Sequence, residues 1–98
     1  MKIDFNNNNG IFNVAIDGRL DTTTAPEFES ELEASLDGVD KLVLDLKDVA
    51  YISSAGLRVI LKAQKLTKAG GRMKVTGVNA MVMEVFEITG FTDILTIE

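Results

Sequence analysis

The 98-residue sequence predicts an α/β fold: a mixed four- to five-stranded sheet whose elements run β-β-α-β-α-β-α, with a candidate last strand. Three observations predict it. The first twenty or so residues alternate apolar and polar side chains, with an Asn-Gly pair between two runs. Later apolar stretches take turns with segments of helical periodicity. Glycines mark several of the joins. Strands that alternate with helices imply parallel pairing through right-handed crossovers. The length suits one domain, residues 1–98, with a single core.

"KIDF" places Ile3 and Phe5 on one face, and "IFNVAIDG" does the same for Phe12, Val14 and Ile16. Between them Asn9-Gly10 is a strong tight-turn pair, so a hairpin with one wet face is expected. In "TTTAPEFESELEASLDG", Thr24 and Glu27 fit a capping box and Pro26 falls in the first turn. Phe28, Leu32 and Leu36 form the core stripe, four glutamates crowd the early turns, and Gly38 is the expected stop. "KLVLDL" is apolar on both faces through Leu42, Val43, Leu44 and Leu46, which reads as a central strand covered on both sides.

After a short loop, "SSAGLRVILKAQKLTKAGG" carries a stripe of Leu57, Ile60 and Leu61, widened by Val59, Ala63 and Leu66. Gly70-Gly71 is the expected end of that helix. "RMKVTG" is a short strand with Met73 and Val75 inward. Asn79 caps a third helix through "AMVMEVFEIT", with Met81 and Met83 as core and edge packing. Gly90 ends it, with Phe91 folding back, and "DILTIE" supplies the candidate edge strand.

Composition narrows the function. The chain has neither cysteine nor histidine. That leaves out a disulfide framework, a thiol nucleophile and the usual Ser-His-Asp triad. No phosphate-loop spacing occurs, and no cofactor or metal is expected. No apolar run approaches the roughly 20 residues of a membrane span. "MKIDFNNNNG" lacks the apolar block of a signal peptide, so a cytoplasmic protein with no membrane role is expected. The net charge of −5 argues against a nucleic-acid partner.

Charge is unevenly spread. Residues 19–54 sum to −6, residues 55–76 to +6 without one acid, and residues 77–98 to −4 without one base. The basic segment starts directly after Ser53 and Ser54, at the expected junction of a strand and a helix N-terminus. Functional groups gather at such junctions in parallel α/β sheets. One serine there is readily explained as an N-cap. A second suggests phosphorylation, because a helix N-terminus stabilises a phosphoserine and Arg58 lies one turn on. Ala55 and Gly56 read as an open, small-residue entrance where backbone N–H groups are uncovered. Arg58, Lys62 and Lys65 share a helix face that suits an acidic partner. Asp21, Asp45 and Asp48 could form a carboxylate trio, but each is better explained as a turn or strand-end residue.

"GRLDTTTAPEFE", "LVLDLKDVAYISSAGLRVIL" and "GGRMKVTGVNAMVMEVFEITGF" together resemble the anti-sigma factor antagonist family, the STAS domain. The likeness runs in order over nearly the whole chain. It implies helices packed on one side of the sheet. It also implies a non-enzymatic switch that binds an anti-sigma factor when unphosphorylated and thereby frees a sigma factor. The implied partner is itself a serine kinase of GHKL type, whose phosphorylation of the switch ends binding; a PP2C-type phosphatase reverses it. Matching Gly56 to the family glycine makes Ser54 the implied acceptor, with Ser53 the alternative, and Asp21 falls on the family's aspartate. Two positions depart from the pattern: Ser53 stands where aspartate is common, and Ala55 where a hydroxyl is common. The expected partner surface is Asp21, Ser53, Ser54, Ala55, Gly56, Arg58, Lys62 and Lys65. The alternative is a constitutive scaffold or subunit of a stress-signalling or lipid-transport complex, without phosphorylation. A monomer or weak dimer is expected.

Overall fold

The computed structural model describes residues 1–35 and 39–98, with residues 68–71 described for their backbone alone. Strands β1 (Lys2–Asn8) and β2 (Ile11–Leu20) form an antiparallel hairpin. Its turn is Asn9-Gly10, with φ of 55° and 82°. Both values lie in the left-handed region that a two-residue hairpin turn needs, which asparagine tolerates and glycine adopts at no steric cost. Helix α1 (Ala25–Ser35) then leads to β3 (Val39–Ile52), α2 (Ser54–Leu66), β4 (Thr67–Thr76), α3 (Ala80–Thr89), a short 3₁₀ turn and β5 (Thr96–Ile97). All five strands lie in one sheet in chain order, and β2 through β5 pair in parallel.

The alternation in β1 and β2 sets the sheet's two faces. Ile3, Phe5, Phe12, Val14 and Ile16 point to one side, with Phe5 and Phe12 edge to face at 5.8 Å. Leu42, Leu44, Met73 and Val75 continue that side across β3 and β4. They form a single cluster with Phe28 and Leu32 of α1, Leu57 and Ile60 of α2, and Val82 and Phe86 of α3. The helices therefore cover one face. Burying each such side chain is worth about 1.5–3 kcal/mol.

The reading of β3 as a strand covered on both sides needs correction. Leu42, Leu44 and Leu46 are fully buried, but Val43 lies on the other face and is only half-buried. Among the described residues no helix packs there, since all three contribute to the core on the opposite face. Val43 lies instead with Ile11, Lys41, Arg72 and Lys74 around a shallow depression of about 190 Å³. Long basic side chains cover apolar surface with their methylene stems while their charges stay in water.

Two helix boundaries also differ from expectation. The Thr24–Glu27 capping box does not form. Asp21 takes its place: Oδ1 accepts from the N–H groups of Thr23 and Thr24 at 3.0 and 3.1 Å. The Thr24 hydroxyl donates to the Arg19 carbonyl at 2.7 Å and accepts from the Asp21 N–H at 2.9 Å. Helix α2 ends at Leu66, before Gly70-Gly71, because Thr67 is already extended and its hydroxyl donates to the Gln64 carbonyl. Leu36 and Gly38 lie outside the described residues.

Helix α3 follows its sequence signals more closely. Asn79 Oδ1 accepts from the Val82 N–H at 2.8 Å. Gly90 closes the helix with φ of 80°, and Phe91 stacks on Phe86 at 6.2 Å. Met81 departs from the packing role expected of it: it is half exposed, while Met83 is partly buried.

Candidate functional site

The carboxyl ends of β2 and β3 meet the N-terminus of α2. The Ser53 N–H donates to the Leu20 carbonyl at 2.9 Å, which joins the two strand ends. Ser53 is the N-cap: its backbone is extended, and its Oγ accepts from the Gly56 N–H at 3.4 Å. Ser54 is the first helical residue and is exposed. The doubled serine thus divides its work. One hydroxyl is engaged by the helix, and the next faces solvent.

Gly56 requires a correction. It is buried, not an open entrance. A Cβ at this position would sit 2.8 Å from both the Leu20 carbonyl oxygen and Leu20 Cγ, and 3.0 Å from Ile52 Cγ1. Only glycine lets α2 approach the strand ends this closely. Gly56 therefore positions Ser54 and cannot itself touch a partner.

Ser54, Ala55, Arg58, Lys62 and Lys65 line a groove of about 620 Å³ between α1 and α2. Sequence reasoning missed the groove's other wall, formed by Thr22, Ala25, Pro26 and Glu29. The signal for that wall was present as an acid-rich helix preceding a basic one. Lys62 also needs a narrower role. Its Nζ lies 2.8 Å from Glu29 Oε2 and 2.6 Å from Glu33 Oε1, so it ties α1 to α2. The hydrogen bonds it donates to both glutamates raise its pKa to about 12, and the bond Glu29 accepts from Lys62 lowers that of Glu29. Among the described residues Arg58 and Lys65 have no ion-pair partner, which leaves them to supply the groove's positive charge.

Asp21 lies beside the site, at the end of β2. Its pKa is lowered mainly by the hydrogen bond from the Thr24 backbone, with the Thr23 N–H and Arg19 assisting. Arg19 Nε lies 3.5 Å from Asp21 Oδ2, and the Arg19 guanidinium stands 4.5 Å from the centroid of the Tyr51 ring. Sequence reasoning did not single out Arg19 or Tyr51. Asp45 accepts from the Lys47 N–H at 3.0 Å, and Asp48 is exposed on β3. Among the described residues, no group of three potential metal ligands gathers. No helix among them is long and apolar enough to cross a membrane.

A one-sided sheet with its groove at one helix N-terminus defines a class, and a family model for the STAS domain matches residues 2–98. BtrV of Bordetella bronchiseptica, named as an anti-sigma factor antagonist, is 37% identical over 99 residues, spanning 99% of this chain and 85% of the relative. The anti-sigma-B factor antagonist of Bacillus subtilis is 32% identical over 98 residues, spanning 99% of this chain and 90% of the relative. The crystal structure of an anti-sigma factor antagonist from Mycobacterium paratuberculosis has the same fold, with a TM-score of 0.90 at 22% identity over 98% of this chain and 83% of that one. The chain belongs to the anti-sigma factor antagonist family of STAS-domain proteins, whose members are non-enzymatic partner-switching proteins.

Proposed function

We propose that this protein binds an anti-sigma factor while Ser54 is unmodified and releases it when Ser54 is phosphorylated. The observation that carries the reading is the division between the two serines: Ser53 is engaged as the N-cap, whereas Ser54 is exposed on the rim of a basic groove. Phosphorylation adds nearly two negative charges at pH 7. The dipole at the start of α2 stabilises them, and Arg58 stands one turn away. The modified protein therefore keeps its fold, and what changes is the sign of the surface. An acidic partner segment that suits Arg58 and Lys65 is repelled once the phosphate is present.

In this reading the partner is a serine kinase of GHKL type, and a PP2C-type phosphatase restores binding. The protein acts in the cytoplasm as a monomer or weak dimer, without nucleic acid, membrane or cofactor. Asp21, Ala55, Arg58 and Lys65 contribute to docking, with Ser53, Gly56 and Lys62 holding the surface in shape.

Intact-protein mass spectrometry after incubation with the kinase and ATP tests the acceptor. Wild type and Ser53→Ala gain one phosphoryl group, and Ser54→Ala gains none. Full modification of Ser54→Ala would reject the assignment. Calorimetric titration tests the switch: Ser54→Asp weakens anti-sigma factor binding at least about tenfold, as charge introduced into a docking surface does.

A further inference from the structure

The irregular pairing between β2 and β3 ends in a bulge. Gly18 pairs with Val49, and the next residue, Arg19, pairs with Tyr51. Ala50 is the extra residue of this bulge. Without it, Arg19 would face Ala50 and the aromatic ring would be one position out of reach. Bulges beside functional sites commonly re-aim a side chain in this way. Here the result is a chain of contacts. Asp21 holds the Thr23 and Thr24 N–H groups with one oxygen and lies 3.5 Å from Arg19 Nε with the other. Arg19 in turn covers one face of Tyr51 at 4.5 Å. Tyr51 is nonetheless 37% exposed, two residues before the N-cap of α2.

We infer that the docking surface continues from Ser54 around the carboxyl ends of β2 and β3 onto this platform, and that Tyr51 is an anchoring contact for the anti-sigma factor. The inference rests on the proposed function and adds a second patch to its surface. A tyrosine held by a guanidinium loses little conformational freedom on binding and offers a rigid, amphipathic contact. Tyrosine and arginine are for that reason over-represented among the residues that dominate interfaces. The ring suits an apolar side chain of the partner. The Arg19 side chain, 62% exposed, suits a partner carboxylate. The platform thus fits the same acidic partner as the groove.

The test is calorimetric titration of the full chain with its cognate anti-sigma factor, with thermal melting of each variant as a control for folding. Tyr51→Ala is expected to weaken binding about tenfold or more, in the range of an interface anchor. Tyr51→Phe keeps the ring and is expected to stay within about threefold. Arg19→Met leaves the tyrosine but removes its clamp, and about a threefold to tenfold loss is expected. Wild-type affinity in Tyr51→Ala and Arg19→Met would overturn the inference while leaving the groove reading intact. Absence of binding by unmodified wild type would overturn the proposed function itself, and the inference with it.

Discussion

Helices α2 and α3 begin with the same local device and do different things. Each has a side-chain N-cap three residues before the N–H it satisfies: Ser53 for Gly56, and Asn79 for Val82. In α3 the capping residue is also tied down behind the helix, where Asn79 Nδ2 donates to the Val49 carbonyl at 2.8 Å. The residue after it is Ala80, which has nothing to offer chemically. In α2 the residue after the cap is an exposed hydroxyl, and a buried glycine presses the helix start against the strand ends. The surfaces differ as well. The outer side of α2 is basic, whereas α3 exposes Met81 and Ile88 among glutamates. A capped helix N-terminus is therefore no site in itself. It becomes a candidate when the next residue is reactive, exposed and backed by a charged groove.

Substitutions sharpen that contrast, from the largest effect downward. Phe86→Ala removes a fully buried ring and its stack on Phe91 and is expected to cost about 4 kcal/mol in urea denaturation. Gly56→Val is expected to cost about 3 kcal/mol, because its Cβ meets a backbone oxygen that cannot move aside. Asn79→Ala loses two hydrogen bonds and should cost about 2 kcal/mol, against about 1 kcal/mol for Ser53→Ala. A Ser53→Ala loss equal to that of Asn79→Ala would erase the distinction between a shared cap and an anchored one. Gly90→Ala meets nothing within 4 Å but must hold a φ of 80°, so about 1 kcal/mol is expected. Ile88→Ser should stay within about 0.5 kcal/mol, since the side chain is 77% exposed.

The smallest effect is seen as a pH dependence. The pKa of Lys62 is raised from 10.5 to about 12, so its contribution is complete below 10.5 and is lost as pH rises through about 12. The pKa of Glu29 is lowered from 4.5, so its contribution is present above 4.5 and is lost as the pH falls below that. The difference in melting temperature between wild type and Lys62→Met should therefore be level between those limits and shrink on either side. A difference that grew below pH 4.5 would contradict the ion-pair role.

Much of the fold was legible because it rests on neighbours in sequence. Alternation showed β1 and β2, Asn9-Gly10 showed their turn, and Asn79 and Gly90 bounded α3. The doubled serine also showed that one hydroxyl would remain beyond the one that caps. What could not be read depends on partners far along the chain. Gly56 reads as an opening until Leu20 is placed against it. Lys62 reads as a docking charge until α1 brings Glu29 and Glu33 within reach. Thr24 is the local exception: it looks like a capping residue, but Asp21, three residues earlier, takes the N–H groups. Val43 looks like a second buried face because sequence cannot show which side of a sheet receives no helix. Tyr51 became notable only through a bulge, which shifts pairing by one residue without a signature of its own.

The Asn9-Gly10 turn has a practical consequence. Strand β2 takes nine residue steps from Ile11, next to that turn, to Leu20, about 30 Å at the usual rise, close to the molecule's longest extent of 31 Å. The hairpin tip therefore lies at the far pole from Ser54, and a Cβ added at Gly10 meets nothing within 4 Å. A fluorophore or a tether to a sensor surface attached there would leave the switching end unobstructed, so that release of the partner could be followed in real time on one immobilised molecule.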